Sequence, residues 1–463
     1  MSNYQELIFD PQIIRRFDVS GPRYTSYPTA DRFVEAFDAE AYRLWLGKRT
    51  IGGISRPLSL YVHIPFCNTI CYYCACNKII TKDHGRSAKY IKYLGKELAM
   101  QAAALDGSHD VVQLHWGGGT PTFLSHDEMQ RLMDLTREQF NLLPGGEYSI
   151  EIDPRKVGRE TVKLLADLGF NRMSVGVQDF EPDVQRAVNR IQTLEETRIV
   201  IEAAREFGFQ SVSVDLIYGL PHQNVISFNH TLDEVIKLSP DRLSIYNYAH
   251  LPNLAKPQRR INEADLPTPD TKLQILQTAI RRLTDAEYVF IGMDHFAKPD
   301  DELTVAQRQG RLHRNFQGYS THAEADLMAF GVSSISKVGP TYAQNYRTLD
   351  EYYDSLDRGV LPVMRGLELT ADDLLRRSII QALMCHFELS IESIEIAHLI
   401  DFKSYFAAEL AALREMEDAG LLKIEDQWIT VLPPGRMLVR VIAMAFDKYL
   451  RSDRERVRYS KVI

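Results

Sequence analysis

The 463-residue sequence predicts an α/β fold built on a partial, TIM-like (β/α)6 barrel, with an N-terminal arm and a mainly helical, winged-helix-like C-terminal domain. Three observations predict it. From about residue 57, short β-rich runs alternate with amphipathic helical runs, the pattern of βαβ units on a parallel sheet. Polar residues close one strand after another, at the end where barrels carry their chemistry. Six such units occupy roughly 190 residues, too few for a full eight-fold barrel. An ordinary doubly wound sheet is the rival, and the polar strand ends favour the barrel.

The first 35 residues, with "SGPRYTSYPTA" (20–30), hold too many turn formers for a core element and read as an arm. The strand candidates are "LSLYVHI" (58–64), "VVQLHW" (111–116), "EYSIEID" (147–153), "RMSVGVQ" (172–178), "SVSVDLIYG" (211–219) and "RLSIYNYA" (242–249). Helical runs lie between them, among them 87–105 and 193–208. The second opens on Thr193 with Glu196 three residues later, a capping box, and stops at Gly208. "YVFIGMDHF" (288–296) is a further strand that extends the sheet or covers its edge. Near residue 365 the texture turns helical, beginning with 369–385, followed by "GLLKIEDQWITVLPPG" (420–435) as a hairpin and a last helix. The division expected is an arm (1–35), a barrel domain (36–365) and a C-terminal domain (366–463).

A net charge of −8 argues against nucleic acid as the main partner, since phosphate binding needs a basic face, and the acidic surroundings of the winged-helix-like segment point the same way. No run approaches the roughly 18 apolar residues of a membrane span. The N-terminus, "MSNYQELIFDPQIIRRFD", does not read as a signal peptide, so the expected compartment is the cytoplasm.

Four of the five cysteines fall within "CNTICYYCAC" (67–76), three residues after a predicted strand end. Clustered cysteines read as metal ligands and not as a disulfide framework. Cys67, Cys71 and Cys74 have the spacing C-x3-C-x2-C, and Cys76 follows after one residue. Structural zinc usually takes two pairs from separate turns, and Cys74-Ala75-Cys76 is tight for closing such a site. A four-iron cubane can take three thiolates from one loop and leave one iron open. Cys76 falls outside that triad, either as a small buried residue or as part of the site lining. Cys385, in an apolar helix, reads as core.

"YVHIPFCNTICYYCAC" resembles the radical S-adenosylmethionine enzymes, whose C-x3-C-x2-C triad holds a [4Fe–4S] cluster. Together with "SGPRYTSYPTA", "CNK", "HWGGGTPT", "GVQDF", "DLIYGLP", "NYAHLP", "GMDHFA" and "HRNFQGY", it resembles the oxygen-independent coproporphyrinogen III oxidases over nearly the whole chain. Related haem-binding chaperones share the triad, but they usually carry an aromatic residue in place of Cys76 and lack the arm. A chaperone is therefore the second reading.

The resemblance implies metal ligation by Cys67, Cys71 and Cys74. It implies S-adenosylmethionine on Tyr61, Gly118 and Glu151, and a second molecule on Tyr73, Gly119, Thr120, Gln178, Arg190, Asp215, Ala249 and Ile335. Tyr73 departs mildly from the usual Phe. The implied reaction is oxidative decarboxylation of two propionates of coproporphyrinogen III to vinyls, giving protoporphyrinogen IX. A 5′-deoxyadenosyl radical would take hydrogen from the propionate β-carbon. An electron donor, an electron acceptor and a monomeric state are expected with it.

The residues themselves also support several of these positions. Three consecutive glycines, 117–119, let backbone approach a ligand, where a plain turn needs one or two. Glu151 suits ribose hydroxyls, whereas Asp153 before Pro154 reads as a helix cap. Gln178 and Asp215 end strands, which alone is weak. Arg23, Tyr24, Lys78 and His84 are candidates to face a substrate carrying four propionates.

Overall fold

The structure, a computed structural model, describes residues 7–50, 53–452, 461 and 463. The first six residues, on which the reading of the N-terminus partly rests, lie outside it. The chain forms two compact units that cut across the three-part division. One unit holds residues 33–268 and 324–368. The other gathers residues 7–32, 269–323 and the C-terminal stretch from Leu369. The expected 36–365 domain is therefore interrupted: 269–323 pack with the C-terminal helices, through contacts such as those of Glu302–Arg308 and His313–Asn315 with Ala371–His386.

In the first unit, β1 (Leu58–Ile64), β4 (Asp110–Gly118), β5 (Asn141–Ile152), β6 (Arg172–Gln178), β7 (Ser211–Tyr218) and β8 (Arg242–Asn247) lie side by side in chain order, all parallel. The short pair β2 (Phe66–Cys67) and β3 (Ile79–Ile80) stands apart from this sheet. Between the parallel strands run α1 (Gly85–Ala104), α2 (His126–Gln139), α3 (Arg159–Asp167), α4 (Leu194–Glu206) and α5 (Val225–Leu238). Among these six strands the order does not reverse, so no switch point of a doubly wound sheet falls between them, as the expected (β/α)6 winding requires. β1 is buried along nearly its whole length, as a strand covered on both faces must be. Thr193 and Glu196 form the expected capping box on α4.

Beyond β1 the sheet continues through strands absent from the sequence-based reading. β9 (Asp326–Phe330) is parallel to β1, and β10 (Ile335–Val338), β11 (Thr341–Asn345) and β12 (Val363–Glu368) follow in antiparallel order. α6 (Leu349–Asp357) joins the last two.

In the second unit, the single strand expected over 288–296 is a hairpin of Val289–Gly292 and His295–Ala297, broken where Met293 takes a positive φ of 55°. Helices from Ala371 to Asp418 precede the expected hairpin, Leu422–Ile424 with Trp428–Val431, to which Glu388–Ser390 adds a third strand. This is the helices-then-wing order read from the sequence. Arg376, buried, pairs with Asp372 of its own helix and with Glu409 of the helix Ala407–Asp418. No helix among the described residues is long and apolar enough to cross a membrane.

Candidate radical and cofactor site

β2 ends on Cys67, and the loop that follows is anchored by backbone and side-chain hydrogen bonds. Tyr72 N donates to Val188 O at 2.9 Å, and Asn189 Nδ2 to Ile70 O at 2.7 Å. Tyr72 and Tyr73 pack on an apolar cluster of Val184, Val188, Leu220, Tyr248 and Ile261. A cavity of about 660 Å3 opens above this loop and the carboxyl ends of β4 to β8. Cys67, Cys71, Cys74 and Cys76 all line it.

Each cysteine has a different environment. The Cys67 sulfur lies 3.4 Å from Thr120 Oγ1, and burial pushes its thiol up to about 11. Cys71 is buried and faces two guanidinium groups, Arg190 Nη1 at 3.7 Å and Arg155 Nη2 at 3.9 Å. Cys74 is held below the ordinary thiol range by a hydrogen bond with Cys76, aided by the Lys78 ammonium, and Cys76 is raised in return. Cys76 is the exposed member of the group, while Cys385 lies buried in its helix as expected. Among the described residues no group of three His, Cys, Asp or Glu side chains is already gathered around a single point. A cubane asks for one thiolate on each of three irons, which three cysteines spread along one cavity wall can supply.

The glycine run works differently at each residue. A Cβ on Gly117 would lie 2.9 Å from Glu151 Oε1, one on Gly118 2.6 Å from the His63 ring, and one on Gly119 2.7 Å from the Pro65 carbonyl. Gly118 also holds a φ of +116°. Backbone contact at Gly119 and the positive φ with the His63 ring at Gly118 therefore already demand glycine, whereas at Gly117 a Cβ would meet only side-chain ends. Gly118 and Gly119 line the cavity as well, and Gly117 does not.

Behind Gly118, Tyr61 joins two histidines that sequence reasoning did not single out. Tyr61 pairs with His115 in the β1–β4 register, and the two rings stack at 5.8 Å. Tyr61 Oη is 3.0 Å from His63 Nδ1, and His63 Nε2 is 3.0 Å from the Asn77 carbonyl. His115 reaches Ser149 Oγ at 2.6 Å and Glu151 Oε1 at 3.4 Å. The Gly118 N–H donates to Glu151 Oε2 at 3.1 Å. Desolvation would raise the Glu151 carboxyl, but His115, the Gly118 N–H and His63 outweigh it and hold Glu151 below the usual range. The carboxylate is thus kept ionised while half open to the cavity. The only signal for the two histidines was their position, two residues after Tyr61 and two before Gly117, on strands whose pairing the sequence does not print.

On the other wall, Asp153 caps the short helix Pro154–Lys156, as expected, and also binds Arg155 at 2.5 Å and Arg190 at 3.4 Å. Arg190 Nη2 donates to Gly176 O at 2.6 Å, and its Nε is buried without a protein partner. Gln178, at a bulge in the β6–β7 pairing, takes a positive φ of 69°. Burial raises Asp215 to about 6 against a 2.7 Å hydrogen bond from Ser174.

Tyr73, Thr120, Gln178, Arg190, Asp215 and Glu151 all meet at this cavity with the cysteines. Three expected residues do not line it. Tyr61 stands behind Gly118, and Ile335 opens β10. Ala249 is linked to Tyr73 through Gln258, whose amide donates to both carbonyls. Of the four substrate candidates, Lys78 lines the cavity and donates to the Cys74 carbonyl at 2.8 Å. His84 stacks on Phe123. In the other unit, Tyr24 is buried with its hydroxyl 3.0 Å from Asp447, and Arg23 is paired with Asp294.

The family model described as the radical SAM superfamily matches residues 61–235, and that of the HemN C-terminal domain matches 369–438. The oxygen-independent coproporphyrinogen III oxidase of Pseudomonas aeruginosa is 53% identical over 98% of this chain and 99% of its own. That of Escherichia coli is 48% identical over 99% of each. The solved structure of the Escherichia coli coproporphyrinogen III oxidase (HemN), described as a radical SAM enzyme, superposes with a TM-score of 0.92 at 47% identity, over 96% of this chain and 100% of that one.

Proposed function

The chain belongs to the oxygen-independent coproporphyrinogen III oxidases of the radical S-adenosylmethionine superfamily, and from that premise we propose that its cavity converts two propionates of coproporphyrinogen III to vinyls, giving protoporphyrinogen IX. The observation that carries this is the meeting, in one cavity, of the cysteine triad with an ionised Glu151 and a partly unpartnered Arg190. Cys67, Cys71 and Cys74 would hold the [4Fe–4S] cluster. When bound, the cluster and S-adenosylmethionine supply the one-electron chemistry that takes hydrogen from an unactivated carbon.

The chain's own part is binding and orientation. Glu151, kept ionised by His115 and Gly118, accepts hydrogen bonds from donors of one S-adenosylmethionine, with the Tyr61–His63 pair fixing the backbone behind it. We place a second S-adenosylmethionine against Tyr73, Gly119, Thr120, Gln178, Arg190 and Asp215, with Ala249 and Ile335 at its margin. Arg190 Nε is the donor still open to it. Lys78 offers a cation to a substrate carboxylate. An electron donor, a terminal electron acceptor, a cytoplasmic setting and a monomeric state complete the reading.

The test is anaerobic turnover of cluster-reconstituted protein with coproporphyrinogen III, S-adenosylmethionine, a low-potential reductant and an added oxidant, read by mass spectrometry. The expected product is lighter by two CO2 and four hydrogens, with 5′-deoxyadenosine formed, and neither appears with Cys71→Ser. Intact substrate beside cleaved cofactor would reassign the substrate, and tight haem binding without either product would restore the chaperone reading. Equilibrium dialysis that finds one S-adenosylmethionine per chain would remove the second site.

A further inference from the structure

Each of the two decarboxylations in the proposed reaction needs one electron delivered to the cluster from outside the chain. The cavity above the cysteines is committed to cofactor and substrate, so a donor needs another approach. A second hollow, of about 490 Å3, shares no residue with the first. Its walls include Ile79 of β3, Arg86 and Lys89 of α1, and Arg347 and Tyr353 at and within α6. None of the three cations forms an ion pair among the described residues, and all three are exposed. Lys89 Nζ sits 4.6 Å over the Tyr353 ring, which fixes it at the rim. Asp350 is the one carboxylate in the wall, leaving the hollow at a formal +2 on a chain of net −8. Arg86 lies in the first turn of a 20-residue helix with no acidic residue in that turn and no side-chain cap, where the dipole disfavours a cation.

The position gives these charges a use. Ile79 and Ile80 pair with Phe66 and Cys67, and the Thr81 N–H donates to the Cys67 carbonyl at 3.0 Å. Across such a pair the strands are about 4.8 Å apart. Ile80, directly opposite the ligand Cys67, is 41% exposed. An apolar spot one strand away from the cluster, beside an open basic hollow, fits a macromolecular surface better than a small anion, which needs an enclosed set of donors.

We propose that the hollow bounded by Arg86, Lys89 and Arg347 is the docking surface for an acidic one-electron donor protein, with the β2–β3 pair as the route to the cluster. The donor loses one electron and the cluster gains one, with no bond or proton transferred. The inference rests on the proposed radical chemistry.

Stopped-flow bleaching of the reconstituted cluster tests it with two donors, the hydroquinone of an acidic flavodoxin and the reduced methyl viologen cation. In R86E/K89E/R347E the flavodoxin rate constant at low salt should fall tenfold or more and lose its decline with added salt. The viologen rate should hold or rise, with iron content unchanged. The milder Arg347→Gln should give a fall of about threefold. An unchanged flavodoxin rate, or equal slowing with both donors, overturns the proposal while leaving the reaction intact. Inorganic phosphate that binds the wild type but not the variant, with the flavodoxin rate unchanged, also overturns it and makes the hollow a small-anion site. A wild-type protein whose iron neither donor reduces would overturn the radical reading and this proposal together.

Discussion

At the scale of single residues, Glu151 shows how a side chain is prepared for a ligand. Its ionised state comes from three neighbours on two other strands, His63, His115 and the Gly118 amide. Glu151→Gln keeps the shape and removes the charge. A hydrogen bond to a charged group is worth about 1.5–3 kcal/mol, so S-adenosylmethionine affinity should fall roughly tenfold to a hundredfold. Iron content should stay the same, since Glu151 lies outside the cysteine triad. Isothermal titration on the reconstituted protein measures this, and an unchanged affinity would take Glu151 out of the cofactor's contacts. The cysteine triad and Glu151 were legible in the sequence because their spacing and strand-end position carry chemical meaning. His63, His115 and Arg155 were not, because each acquires its role from a partner distant in sequence: Asn77, Ser149 on the neighbouring strand, and Cys71.

At the scale of elements, the end of β4 is the most tightly specified backbone in the site. Gly118 combines a φ of +116° with a Cβ direction aimed into the His63 ring. Gly118→Ala must strain the backbone and push that ring away from Tyr61 and the Asn77 carbonyl. A disfavoured φ alone costs of order 1–3 kcal/mol, so urea unfolding should show a loss of about 3 kcal/mol, and cofactor binding should fail. Gly145, with a φ of +80° and open space around its Cβ direction, is the control: alanine there meets only the backbone penalty, about 1 kcal/mol. Equal losses at the two sites would show that the His63 contact adds nothing. β1 and β6 matched their sequence runs end to end, since each is an unbroken β-rich segment. β11 escaped notice because Thr341, Gln344 and Asn345 make it look like a loop, although all five of its residues are buried. Those polar groups are satisfied only after folding, as when Asn345 Nδ2 donates to Glu97 at 2.7 Å and to Gly331 O at 2.9 Å.

At the scale of the whole molecule, periodicity revealed the parallel half of the sheet but not which distant segments join it. Two units assembled from five stretches of chain leave no trace in local composition, because the contacts that unite 7–32 with 269–323 and the C-terminal helices span hundreds of residues. The same holds for the buried carboxyl that ties one unit together. Glu97 of α1 accepts hydrogen bonds from Gln101, from the Gly331 N–H after β9, from Asn345 of β11 and from Tyr352 of α6. Burial outweighs these four donors and raises it from 4.5 to about 7. The raised value favours the protonated group in the folded chain, so its stabilising effect is complete below about pH 4.5. As the pH rises from 4.5 to 7 the unfolded chain ionises first and stability falls, by about 3 kcal/mol in all, with no further loss from this group above that range. Glu97→Gln carries no such titration, and its altered hydrogen bonding adds an offset that does not vary with pH. The difference in unfolding free energy between the two proteins, from urea titrations between pH 4.5 and 8, should therefore shift in favour of the variant by about 3 kcal/mol as the pH rises. A difference that stays constant across the range would mean that Glu97 is already ionised in the fold, with its four donors stronger than its burial.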